Sequence, residues 1–320
     1  MFSYRICGTP FQSSIALSEL MQGDESEPEF TLQLSAETRR HSKSYQWLNH
    51  WYSLDGSIWL AFAKLKTGYL LRFPAYADFV VSTDAQSVFC YPRQNCPSAT
   101  MRHLVLNQVI PIVLSQLGKL VLHASACETS QGVVAFMGTS GMGKSTLAAS
   151  FGLRGFPVLT DDCLLVEEQD RKIVCIPSYA GVRLWPESVS ALFKEEPELQ
   201  PLAHYTDKKR LLFPQESAGI HSLRAVYVLA KPDHLHDEND VNITPLTPSD
   251  ALFTTVKHTF QLDVTDHEKL GQAFKRYEWL AKSIPFFKLT FPRDHSFLPT
   301  VQVAILNHLD LIQDQILLPS

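Results

Sequence analysis

The sequence predicts an α/β fold with α+β elements. A nucleotide-binding core built on a phosphate loop follows a smaller, mainly β region. Three observations lead there. After residue 100, short apolar runs alternate with helix-length segments, the pattern of strands interleaved with helices. One such run, Gly132 to Met137, leads into Gly138-Thr139-Ser140-Gly141-Met142-Gly143-Lys144-Ser145-Thr146, which opens a helical segment. Before residue 100, aromatic residues sit among polar residues and turn formers such as Asp55-Gly56, as in short strands.

Composition bounds the possibilities. The chain has 320 residues, 45% of them apolar and 19% charged, ordinary for a globular protein with a real core. A net charge of −5 supplies no field that attracts nucleic acid or an anionic membrane, so neither is expected as a partner. The six cysteines contain no C-x-x-C pair, so reduced, mostly buried thiols are expected rather than a zinc or redox site. Met1 to Pro10 lacks the basic start and apolar run of a secretory signal. The apolar stretch Leu104 to Leu122 is interrupted by Asn107, Gln108, Pro111, Gln116 and Lys119, so it reads as a buried helix followed by a strand. A cytoplasmic location is the expectation.

Two domains are predicted, at 1–100 and 101–320. Trp47, Trp51, Tyr52, Trp59, Tyr69 and Phe73 are expected to form a small β core in the first. Asp24-Glu25-Ser26-Glu27 reads as a solvated loop and Cys90 to Ala99 as a linker. In the second, helices are expected at about 101–116, 143–153, 186–193, 249–259, 266–282 and 298–312. Strands are expected at 120–126, 132–137, 156–160, 172–176 and 223–230.

The glycine-rich string is a complete match to G-x-x-x-x-G-K-[ST]. Gly138, Gly141 and Gly143 let the backbone turn at positive φ, so that successive amides point at phosphate oxygens. The following helix adds unpaired amides and the positive end of its dipole. Lys144 can reach the outer phosphates, and the Ser145 hydroxyl can hold Mg²⁺.

Asp161 and Asp162 are the next informative pair. A helix of about 11 residues climbs roughly 16 Å, and the run 156–161 returns about 20 Å, which brings both carboxylates back to the loop on a strand beside the first. There they can hold Mg²⁺ or take a proton from an attacking hydroxyl; otherwise they shape a strand-end turn. If 120–126 and 132–137 form a hairpin, His123 falls within a residue or two of Met137. It then either orients an aspartate or is a satisfied core histidine. Arg183 either supplies positive charge to phosphoryl transfer or makes a structural ion pair. Lys208, Lys209 and Arg210 fit a site and a solvated basic turn equally well, and Trp185 reads as a core anchor at a helix start.

Taken together, Leu122-His123-Ala124-Ser125-Ala126, Gly138 to Thr146, and Gly155-Phe156-Pro157-Val158-Leu159-Thr160-Asp161-Asp162 resemble the HPr serine kinase/phosphorylase family, whose fold is similar to that of phosphoenolpyruvate carboxykinase. The resemblance is good over about 105–230. It implies ATP and Mg²⁺ as cofactors, Asp161 as general base, Asp162 as a Mg²⁺ ligand, and His123 interacting with the base. Tyr179-Ala180-Gly181-Val182-Arg183-Leu184-Trp185-Pro186-Glu187-Ser188 and Asp207-Lys208-Lys209-Arg210 look like the relatives found with lasso-peptide biosynthesis, with Ala180 standing where those relatives often have proline. These imply transfer of a phosphoryl group to a serine hydroxyl of a peptide or small protein, such as the C-terminal serine of a lasso precursor. The Glu-x-Arg-Gly-Leu-Gly segment of authentic HPr kinases is absent. Two alternatives stay open, a small-molecule kinase of the same fold and a nucleotide-binding regulatory module. Homo-oligomerisation is open as well.

Overall fold

The computed structural model describes residues 1–24, 26–35, 45–53, 55–195, 197–214, 219–232 and 240–317. Of the acidic run at 24–27, Glu25 lies outside the described residues. The protein is a mixed α/β molecule with several sheets, divided into two compact units.

The first unit comprises 1–121, 201–206 and 260–273. Its strands are β1 (Phe2–Ile6), β2 (Thr9–Ser13), β3 (Phe30–Leu34), β4 (Gln46–Tyr52), β5 (Ile58–Leu65), β6 (Gly68–Phe73), β7 (Ala77–Ser82) and β8 (Ser87–Pro92), in one sheet ordered β1-β2-β3-β8-β7-β6-β5-β4. β8 takes Cys90 to Pro92 out of the expected linker. Apolar side chains of β5 to β7, among them Leu60, Phe62, Leu71, Phe73 and Phe79, are fully buried. Asp78 is buried with them because Arg72, directly across the β6–β7 ladder, donates to it from Nε at 3.0 Å and Nη2 at 2.8 Å. The aromatic set divides. Tyr69 and Phe73 are core, whereas Trp47 and Tyr52 on β4, the last strand of the sheet order, are exposed.

The expected helix over 101–116 is α1 (Ser98–Leu104) and α2 (Ile110–Gln116), separated by a wider π turn at Val105–Val109. Pro111 in the first turn of α2 supplies no N–H and crowds the turn before it, which accounts for the interruption. No helix among the described residues is long and apolar enough to cross a membrane. All six cysteines are outside disulfides, and five are buried.

The second unit comprises 122–200, 207–259 and 274–320. In chain order the elements after β9 (Leu120–Leu122) are β10 (Ser125–Thr129), β11 (Gly132–Met137), α3 (Lys144–Leu153), β12 (Val158–Thr160), β13 (Leu164–Gln169), β14 (Lys172–Ile176), β15 (Gly181–Leu184), α4 (Pro186–Leu192), β16 (Gln200–Ala203), β17 (Thr206–Leu212), β18 (His221–Ala230), β19 (Asn242–Pro245), α5 (Pro248–Lys257), α6 (His267–Ser283), β20 (Phe286–Thr290) and α7 (Leu298–Leu317), of which β16 beyond Gln200, Thr206 of β17 and α6 up to residue 273 belong to the first unit. β11 and β18 run parallel at the centre. On the far side, β18 pairs antiparallel with β14 over its first residues and parallel with β20 over its last. Phe136, Leu147, Phe151, Tyr227, Leu289, Val301 and Ile305 join sheet, α3 and α7 in one apolar cluster. On α7 the buried Val301, Ile305 and Leu309 recur every four residues, one face of a helix.

The single strand expected over 120–126 is two strands, β9 and β10, interrupted at His123 and Ala124. The backbone N–H of His123 leaves the ladder and donates to the carbonyl of His258 at 2.7 Å, beside an isolated bridge between Leu122 and Thr259.

Candidate active site

The site grows out of the turn between β11 and α3. Gly138, Gly141 and Gly143 have φ of 140°, 82° and 86°, all in territory that side chains rarely enter. At Gly138 a Cβ would stand 2.9 Å from the Leu229 carbonyl oxygen on β18, so the loop leaves the sheet where only glycine fits. Gly143, at the N-terminus of α3, completes the turn and starts the helix. Lys144 follows, buried, with Nζ donating to the carbonyls of Gly138 at 2.8 Å and Thr139 at 3.3 Å. Burial lowers its pKa, while the charges of Asp162 and Asp161 oppose that shift. Thr146 bonds Ser188 of α4 at 3.0 Å.

Asp161 and Asp162 follow β12 directly and are both buried. β12 pairs with β10 rather than with β11, so β10 stands between the aspartates' strand and the loop's strand. That arrangement brings Ser125, the first residue of β10, to Asp161, where its hydroxyl donates to Oδ1 at 2.6 Å. The Arg183 backbone N–H donates to Asp161 Oδ2 at 2.9 Å, and Ser145 hydrogen-bonds the same carboxylate. Burial raises the Asp161 pKa, and the neighbouring Asp162 charge adds to it; Arg183 and the serine hydrogen bonds pull the other way. The Arg183 guanidinium spans both acids, with Nε 3.6 Å from Asp161 Oδ2 and Nη2 hydrogen-bonded to Asp162 Oδ1.

His123 is half-exposed, and its Nε2 lies 3.3 Å from Asp162 Oδ1. Its contact is thus with the second aspartate, whereas the family resemblance assigns it to the first. The residues singled out in the sequence therefore converge: the loop with Lys144 and Ser145, the aspartate pair, Arg183 and His123.

Four further residues belong to the picture. His258 accepts the His123 N–H through its carbonyl, and burial, with the charges of His123 and Lys144 behind it, pushes its imidazole down to about 4. Arg293 clasps the loop from outside, with Nη1 donating to the Met142 carbonyl at 2.6 Å. No pattern near either residue could have revealed this, since both are remote in sequence from what they touch. Ser125 lay in the string quoted above without a role, although its place two residues after His123 was a usable sign. For Lys208, Lys209 and Arg210 a site and a solvated basic turn fit the sequence equally well. That segment is β17, on which Arg210 is buried beneath the Tyr179 ring and Lys208 lies 4.9 Å from the Trp185 ring centroid. Trp185 is no core anchor; it is 46% exposed.

No protein-family model and no curated protein matches the chain. Among solved structures, it is similar to the Hpr(Ser) kinase/phosphatase from Coxiella burnetii at 12% identity and a TM-score of 0.36, over 61% of this chain and 93% of that one. The site's chemistry is accordingly read from its own residues.

Hydroxyl and carboxylate oxygens are the donors a hard cation prefers, and Mg²⁺ is commonly held by one or two carboxylates together with substrate phosphates. Ser145, Asp161 and Asp162 fit that demand: both carboxylates are buried, and Asp161 already bonds Ser145. Lys144 and Arg183 supply fixed positive charge beside them.

Proposed function

We propose that this chain is a Mg-ATP-dependent kinase that transfers the γ-phosphoryl group to a serine hydroxyl of a peptide or protein. The observation that carries the reading is the buried pair Asp161 and Asp162, joined by Arg183 and lying within electrostatic reach of Lys144. A nucleotide-binding loop alone needs only amides, a lysine and a hydroxyl. Two buried carboxylates beside it add a metal ligand and a proton acceptor, the two further parts that phosphoryl transfer to a hydroxyl requires.

In this reading the loop 138–146 and Lys144 bind the phosphates, and Ser145 and Asp162 are the residues that would hold Mg²⁺, which when bound would supply charge neutralisation. Asp161 accepts the proton of the acceptor hydroxyl. The hydroxyl oxygen bonds to the γ-phosphorus as the bond from phosphorus to the β–γ bridging oxygen breaks, its electron pair leaving with ADP. Arg183 offsets charge at the equatorial oxygens. The acceptor class follows from the sequence resemblance, and its sharpest candidate is the C-terminal serine of a lasso precursor peptide.

A second reading exchanges the roles of the two aspartates. It is favoured by His123, a half-exposed imidazole against Asp162, and by Asp161 being filled with donors from Ser125, Ser145 and the Arg183 amide. One experiment separates them: γ-labelled ATP is offered with peptides ending in serine to Asp161→Asn and Asp162→Asn, and magnesium-dependent nucleotide affinity is measured alongside. Loss of labelling with affinity kept marks the base; loss of magnesium-dependent affinity marks the metal ligand. Label released only as free phosphate by the unaltered protein, with every acceptor, overturns the kinase reading.

A further inference from the structure

The antiparallel pair of β15 and β17 has two faces, and their contents differ. Arg183 pairs with Arg210 and Leu184 with Lys209. Side chains alternate along a strand, so Lys208 shares the face of Arg210 and Arg183, while Lys209 shares that of Leu184 and Leu211. The first face meets the carboxylates through Arg183; the second meets the apolar cluster through Val182, Leu184 and Leu211. One residue beyond Leu184, Trp185 turns its ring under the Lys208 ammonium, 4.9 Å from ring centroid to nitrogen. A cation stacked on an exposed indole is held in place with few rotamers left to lose.

We propose that Lys208 is a further cation of the phosphoryl-transfer site, one that contacts the oxygens of the phosphoryl group in flight, and that Trp185 holds it in line. The proposal rests on the kinase reading above. Lys208 already feels the site: burial lowers its pKa, Arg183 and Lys144 lower it further, and Asp161 and Asp162 oppose them. Lys144 turns toward the loop carbonyls and Arg183 is engaged by both carboxylates, so a third positive charge serves the side facing the acceptor. In the transition state the bonds from phosphorus to ADP and to the acceptor are both partial and charge is spread over the three equatorial oxygens, where a fixed cation stabilises it.

The test requires no acceptor. ADP with magnesium occupies the nucleotide site, and added aluminium fluoride mimics the planar group in transit. Affinities with and without fluoride are measured by calorimetry on the full chain and on Lys208→Met, Lys208→Arg, Lys209→Met and Trp185→Phe. In the unaltered protein aluminium fluoride is expected to tighten ADP binding. Lys208→Met should bind ADP with magnesium unchanged, which also shows that it folds, while losing on the order of 10²-fold of that tightening. Lys208→Arg and Trp185→Phe, which keep the charge and an aromatic ring, should retain most of it, and Lys209→Met all of it. Full tightening in Lys208→Met, or equal losses in Lys208→Met and Lys209→Met, overturns the proposal and leaves the kinase reading standing. Failure of the unaltered protein to bind ADP with magnesium overturns both.

Discussion

Lys144 folds its ammonium back onto the loop it belongs to, 2.8 Å from the Gly138 carbonyl oxygen. On the proposed function the contact keeps the charge ready for the outer phosphates of a nucleotide, at a place where burial makes an unpaired ammonium costly. Lys144→Met should therefore weaken ATP binding by roughly 10- to 100-fold, the scale of one charge-assisted hydrogen bond to phosphate. Removing the buried charge relieves its penalty but also takes a partner from Asp161, Asp162 and two loop carbonyls, so the thermal midpoint without nucleotide should change little. Titration calorimetry and a melting curve check both halves.

Arg183 is the counter-charge of two buried carboxylates. Arg183→Met should destabilise the protein at neutral pH by about 3 kcal/mol or more, since removing one partner of a buried ion pair strands the others. Asp161, whose pKa burial raises, takes up a proton more readily than an ordinary carboxyl as pH falls. The deficit should accordingly shrink in mildly acid solution. Denaturant unfolding of both proteins at neutral and at mildly acid pH measures it; a deficit that grows on acidification would contradict the assignment.

The glycines of the loop are not equivalent. Gly138 combines a φ of 140° with a Cβ site 2.9 Å from backbone, whereas Gly141, at 82°, has nothing within 4 Å. Gly138→Ala should cost about 1–3 kcal/mol of stability and displace β11 from β18. Gly141→Ala meets only the left-handed penalty, about 1–2 kcal/mol, and should show its effect mainly as weaker nucleotide binding. Unfolding midpoints for the two variants should rank in that order.

His258 titrates at about 4 in the folded protein against an ordinary value of 6.5. The unfolded chain therefore binds a proton that the folded chain refuses, and stability falls as pH drops from about 6.5 to about 4. Above that window His258 contributes no slope. His258→Asn removes the titrating group while the backbone carbonyl that receives His123 remains, so its stability profile should be flatter across the same window. Parallel profiles for the two proteins would show that another group carries the slope.

Local chemistry determined much of this protein. The phosphate-loop string at Gly138 to Thr146 stands between a strand and a helix, as glycine spacing and the flanking apolar run required. The helices at 186–192, 248–257, 267–283 and 298–317 begin near their expected starts, because proline and the apolar period mark them locally. Asp161 and Asp162 could be brought back to the loop by arithmetic on helix rise and strand length alone. Only the tertiary structure decided which groups meet there. That β12 lies against β10, that Arg183 on the later strand β15 joins both acids, and that His258 and Arg293 close around His123 and Met142 are pairings over long sequence separations. Their energy comes from burying one surface against another, which leaves no periodic trace in either segment. The same reason explains Trp185. Its sequence neighbours suit a core anchor, but the ring lies against the Lys208 ammonium of the paired strand β17 and stays 46% exposed.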